Sequence, residues 1–168
     1  LEVSRMKNKT VSAIFTNAAL SFLLSLGGIL CLTTAFEIEI SRTVLAAHCC
    51  VWSLGSCFLL TRPRGGWLIL LGAFLLYALR LWYKTDLVDQ VLQLCYNISR
   101  IFASAYGFGW LGKPTGVESV ALPLYLWGSI TALVTGWSIT KGRFTAVAVL
   151  FSLLPLSLCL VLTDTIPA

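Results

Sequence analysis

His48 is the only histidine in the 168-residue chain, and it lies near the start of an apolar run rather than in a polar loop. An imidazole in that setting can relay protons or hold a ligand, because its charge changes near neutral pH. Such work needs an acidic partner close by, and the run around it, residues 43–61, contains no Asp or Glu. The expectation is therefore a histidine that sits at the interface or is hydrogen-bonded to a neighbouring helix. Asp86 and Asp89 are the nearest thing to a carboxylate pair. General acid–base chemistry would require them in a water-excluded pocket. Their neighbours Gln90, Gln93, Asn97 and Arg100 instead mark the solvated side of a helix.

The other reactive groups give no site either. Six cysteines are present, Cys31, Cys49, Cys50, Cys57, Cys95 and Cys159, with no CxxC pair among them. Zinc ligation wants paired ligands at short spacing and a second such pair. These thiols read as small, polarizable packing residues. The run Tyr106-Gly107-Phe108-Gly109-Trp110-Leu111-Gly112 is glycine-rich but lacks the Lys-Ser/Thr that follows a phosphate-binding loop. It suits an interfacial loop, and Lys113-Pro114-Thr115-Gly116 suits a turn. Asn17 and Arg80 are the remaining polar residues inside or beside apolar runs. Asn17 fits a bond to another helix or an interfacial place. Arg80 fits a guanidinium reaching toward headgroups with its stem left in the apolar layer. No catalytic, cofactor-binding or metal-ligating residue is assigned, and no cofactor is expected.

The elements that carry these residues are set by composition. The chain is 58% hydrophobic and 11% charged, with mean hydropathy +0.88. Soluble domains carry roughly 45–50% apolar and about 25% charged residues. A soluble fold of this size could not bury the excess, so the class is all-α integral membrane. The net charge of +5 does not imply nucleic acid, because the basic residues sit in short connectors between apolar runs.

Residues 1–10 form a basic leader, with Met6 the natural start. The first apolar run, 11–36, is too long for a signal-peptide core of about 7–15 residues. It has no small-residue cleavage box, and Leu30 before Cys31 spoils a lipoprotein site. It reads as a retained span. Further spans are expected at about 43–61, 67–83, 120–139 and 144–162, giving a five-span helical bundle in one transmembrane domain, 11–168. In the second span Ala46, Cys50, Ser53 and Cys57 make a stripe of small residues. In the fourth, Gly128, Ala132 and Gly136 do the same. Such stripes let helices approach closely in lipid. Arg62-Pro63-Arg64-Gly65-Gly66 and Lys141-Gly142-Arg143 are tight basic turns, and Pro155 predicts a kink in the last span. Trp67 marks one interface and Trp82 with Tyr83 the other; Tyr125 and Trp127 mark one and Trp137 the other.

Between spans three and four lies 84–118. Leu87, Val88, Val91, Leu92, Leu94, Cys95, Ile98, Ile101 and Phe102 follow helical periodicity opposite the polar residues. The pattern predicts an amphipathic helix lying in the interface or capping the bundle. Charge then fixes orientation. With the leader inside, the inner connectors hold Arg5, Lys7, Lys9, Arg62, Arg64, Lys141 and Arg143 against Glu2 alone. The outer ones hold Glu37, Glu39, Asp86, Asp89, Glu118 and Asp164, with Arg42, Lys84, Arg100 and Lys113. The basic bias of inner loops places the N-terminus in the cytoplasm, and the C-terminus and 84–118 outside the cell membrane.

The segment SLLPLSLCLVLTDTIPA at 152–168, with AYGFGWLG at 105–112, resembles the N-terminal membrane region of bacterial transglutaminase-like membrane proteins. The resemblance implies a multi-span bundle ahead of an extracytoplasmic domain with a Cys-His-Asp centre. No residue of this chain maps onto that triad. The expected function is a non-catalytic anchor whose partners are the bilayer and a domain beyond Ala168. The alternative is a small transporter or channel subunit in which Asn17, His48 and Arg80 line one cavity.

Overall fold

Uninterrupted helix-forming sequence accounts for the first element of the computed structural model. No Gly or Pro occurs between Glu2 and Leu26, and α1 runs unbroken from Glu2–Ala35. The leader is thus helical and continuous with the span that follows it. The structure describes residues 2–36, 38–62, 65–84, 87–107, 120–142 and 145–163, with side chains at fewer positions. The Lys113–Gly116 turn, Asp86, Arg64 and Arg143 lie outside the described residues. After α1 come α2 (Arg42–Leu60), α3 (Gly66–Lys84), α4 (Leu87–Tyr106), α5 (Ala121–Lys141) and α6 (Thr145–Thr163). Among the described residues every regular element is an α-helix.

Four of these segments are long and apolar enough to cross a membrane: Val11–Ala35, Arg42–Leu60, Gly66–Tyr83 and Ala121–Lys141. Their outward faces are apolar as well. Phe15, Leu23, Val51, Trp67, Leu76 and Trp82 are each more than half exposed. Soluble monomers do not carry so much contiguous apolar surface. Hydrocarbon, as apolar as these side chains, is the solvent that accommodates it.

The helices turn on glycine where the chain must reverse tightly. Gly65 has φ 81° and its carbonyl accepts from the amides of Leu68 and Ile69, which starts α3. A Cβ at Gly66 would run into the Leu59 carbonyl, so the close return of α3 onto α2 requires glycine there. Gly142 ends α5 in the left-handed conformation, φ 60°, as a glycine just past a helix commonly does.

α1, α2 and α5 make the centre of the bundle, with α6 packed on α1 and α5 and α3 resting mainly on α2. Direction follows from the contacts. Ser21 of α1 bonds Thr135 of α5, while Ile29 lies against Gly128, so these two helices are antiparallel. His48 with Tyr77, and Trp52 with Phe74, show that α2 and α3 are antiparallel. Cys49 beside Gly128, and Ser56 beside Gly136, show that α2 and α5 run the same way. α3 therefore ends where α5 begins. The intervening α4 leaves from and returns to one end of the bundle.

At that end lies an apolar cluster of Ile29, Phe36, Ile38, Leu45, Cys49, Val120 and Leu124. Leu94, Ile98, Ile101 and Phe102 of α4 pack against it. Gln90 of α4 accepts a hydrogen bond from the Leu122 amide, 3.3 Å. That bond satisfies a free donor in the first turn of α5. α4 stops at Tyr106 because Gly107 takes φ 78°.

Two sequence expectations are revised here. The buried face of α2 is Leu45, Cys49, Ser53, Ser56, Cys57 and Leu60. Ser53 and Cys57 belong to the expected stripe, but Ala46 and Cys50 are only half-buried. Every side of a lipid-embedded helix is apolar, so the pattern alone does not fix its rotation. Tyr125 and Trp127 are half-buried rather than free at an interface. Trp127 stacks on Phe151 of α6 at 5.8 Å between ring centroids, and Tyr125 joins the cluster around His48.

Candidate functional site

Hydroxyl side chains sit where α1, α2 and α5 approach most closely. Gly128, Ala132 and Gly136 are buried and let the neighbouring backbones come near, as their four-residue spacing predicts. A Cβ at Gly136 would collide with the Ser56 hydroxyl, and one at Gly128 would lie 2.7 Å from Ile29 Cδ1. Ser21 Oγ and Thr135 Oγ1 are 2.8 Å apart. Ser21 also donates to the Ala132 carbonyl at 3.1 Å, and Ser56 reaches the same carbonyl at 3.4 Å. Ser25, Thr131 and Thr135 donate to carbonyls of their own helices. Each interhelical bond of this kind contributes about 0.6 kcal/mol on average within a membrane.

His48 stands above this seam. Its position on α2 turns it toward α5, and the reversal at Gly65–Gly66 brings Tyr77 of α3 to the same place. His48 Nε2 lies 2.8 Å from Ser129 Oγ and 3.1 Å from the Tyr125 carbonyl, with the Tyr77 hydroxyl at 3.4 Å. Around the imidazole are the rings of Tyr77, Tyr125 and Trp52, with centroids 5.5, 5.4 and 6.4 Å away. Trp52 in turn contacts Phe74 and Tyr77.

A serine hydroxyl 2.8 Å from an imidazole invites comparison with a nucleophile and its base. The protons argue otherwise. A carbonyl can only accept, so in the tautomer with hydrogen on Nε2 the ring donates to Tyr125. Ser129 donates to that same carbonyl at 2.9 Å. With the Ser129 hydroxyl hydrogen on that carbonyl, the imidazole in this tautomer is a donor toward α5. Ser129 is fully buried, and the three helices meeting here contain no Asp or Glu that could orient a base. What the arrangement does is tie α2, α3 and α5 together through one polar hub.

The other sequence candidates lie elsewhere. Arg80 is exposed on α3. Asn17 is half-buried on α1. It lies twelve residues before Ile29, which is level with Cys49, so about 18 Å of helix separates it from His48. The three do not line one cavity. Asp89 is exposed on α4, and Cys95 is exposed while Cys49 and Cys57 are buried. Among the described residues no group of three or more His, Cys, Asp or Glu is placed to hold a metal. The partners of His48 are 29 to 81 residues away in sequence, which is why no local motif announced them.

Comparison with known proteins adds no assignment: the chain matches no family model, no curated protein and no solved structure.

Proposed function

We propose that this chain is a non-catalytic membrane module that anchors and orients an extracytoplasmic domain, in the manner of the membrane region it resembles in bacterial transglutaminase-like proteins. One observation carries the reading. Most polar side chains at the centre of the bundle are spent on one another and on helix carbonyls, with Ser21 on Thr135 and His48 on Ser129 and Tyr125, while the buried Ser53 hydroxyl, the Trp127 indole N–H and the Thr140 hydroxyl have no hydrogen-bond partner. That is how polar groups act as glue between helices, and it leaves none of the bonded ones free for a substrate.

The anchor has five spans. The fifth is α6, whose 19 residues, TAVAVLFSLLPLSLCLVLT, include no charge. α4 is its interfacial helix. Support comes from the shared end at which α3 stops and α5 starts, which leaves α4 no crossing to make. Val88, Val91, Leu92 and Cys95 of α4 are apolar yet exposed beside the packed face, as an interfacial helix requires. The basic turns after α2 and α5 lie in the cytoplasm, and α6 leads outward.

A reporter enzyme that is active only outside the cytoplasm, fused after Ala168, tests this directly. Full reporter activity in an alkali-resistant membrane fraction is expected. An inactive reporter overturns the outward presentation. The rival transporter reading makes a different prediction: proton or solute flux in proteoliposomes that His48→Ala abolishes. The anchor reading expects no flux above that of empty vesicles.

A further inference from the structure

The end of the bundle opposite His48 holds a cavity of about 760 Å³. It is lined by the last turn of α2, the first half of α3 and the last half of α5, where α3 stands away from α5. The volume falls in the range of small-molecule sites, roughly 300–1,000 Å³. Leu70 and Phe74 are among the residues forming the apolar wall, Trp67 and Trp137 lie toward the helix ends, and Arg62 and Lys141 complete the lining. Trp67 and Trp137 are both about half exposed. Arg62 has its guanidinium 5.1 Å from the Phe58 ring centroid, a cation–π contact that holds it near the helix end.

The chemistry is lopsided. The turns that carry Arg62 and Lys141 also carry Arg64 and Arg143 in sequence, and residues 61–66 and 140–144 contain no carboxylate. Two cations thus stand over an apolar wall without an acidic partner in either turn. A soluble anion would satisfy the charges but not the wall, and a neutral lipid would satisfy the wall but not the charges. Indoles at the rim suit the headgroup level of a bilayer. Basic pockets between membrane helices are suited to phosphate headgroups.

We infer that this groove binds an anionic phospholipid, with its phosphate between Arg62 and Lys141 and an acyl chain along Leu70 and Phe74. The inference rests on the proposed membrane span, but not on which leaflet the basic turns occupy. A failure of the outward reporter would therefore leave it standing.

The test is lipid titration of the full purified chain in detergent, read by native mass spectrometry, with phosphatidylglycerol and phosphatidylcholine of equal chain length. Phosphatidylglycerol is expected to bind on the order of tenfold more tightly. The paired change Arg62→Gln with Lys141→Gln should remove that preference while leaving phosphatidylcholine binding unchanged. Val134→Trp, which fills the groove, should weaken both lipids. If the double variant fails to fold, the preference in the unaltered chain must still shrink as salt is raised. Equal binding of the two lipids, a preference insensitive to salt, or displacement of lipid by excess inorganic phosphate would overturn the inference.

Discussion

Gly136→Leu is expected to cost the bundle about 3 kcal/mol or more, the upper end for overpacking a close interface. Even a Cβ at this position would collide with the Ser56 hydroxyl and come within 3.1 Å of its Cβ, with Ser21 Oγ at 3.5 Å. Those neighbours are short side chains close to their own backbones. They cannot swing aside, so α2 or α1 must move and the Ser21–Thr135 bond must lengthen or break. The matched control is Gly27→Leu. A Cβ at Gly27 meets nothing within 4 Å, and the residue is exposed on α1. There the change should be neutral or slightly stabilising, because glycine in a helix interior is itself unfavourable by about 1 kcal/mol. Gly128→Ala falls between them, since the nearer of the two atoms it meets, Ile29 Cδ1 at 2.7 Å, is the movable tip of a longer side chain, and Cys49 Sγ at 3.3 Å need give only slightly. Unfolding in mixed micelles by graded SDS measures all three. Equal losses at positions 27 and 136 would mean that the small-residue seam is not where the helices meet.

His48→Ala should destabilise by about 2–3 kcal/mol, from lost ring contacts, a cavity and the hydrogen bonds to α5. The Tyr125 carbonyl keeps its bond from Ser129, so the loss stops short of leaving a bare acceptor. His48→Gln, which retains an N–H donor, should recover part of it. A double-mutant cycle with Ser129→Ala separates hub from filler. Coupling of about 0.5–1.5 kcal/mol is expected from the 2.8 Å bond, and its absence would mean that the ring acts only by packing.

The sequence was informative where lipid imposes a rule and silent where distant helices choose partners. Length and apolarity placed the four helices able to cross a membrane, because a helix that crosses hydrocarbon must satisfy its backbone internally. The stripe at Gly128, Ala132 and Gly136 was readable for a related reason: only small residues let two helix backbones touch. The α2 face was not, since lipid-facing and helix-facing positions are equally apolar, and the buried set turned out to be centred on Cys49 and Ser53. Nor was the hub around His48, whose hydrogen-bond partners lie on other helices, 29 to 81 residues away in sequence. Arg62 and Lys141 were read as topology signals only. Their shared groove emerges from the parallel course of α2 and α5, which local patterning does not encode.

The central claim is a membrane bundle with its basic turns on one side and α4 on the other. Cysteine accessibility in intact cells tests it most directly, with a membrane-impermeant maleimide and the labelled position read by peptide mass. Cys95 is exposed on α4 and should be labelled from outside, whereas a Thr61→Cys variant, exposed in the turn after α2, should react only after the membrane is permeabilised. Labelling of position 61 in intact cells, with Cys95 protected until permeabilisation, would contradict the account.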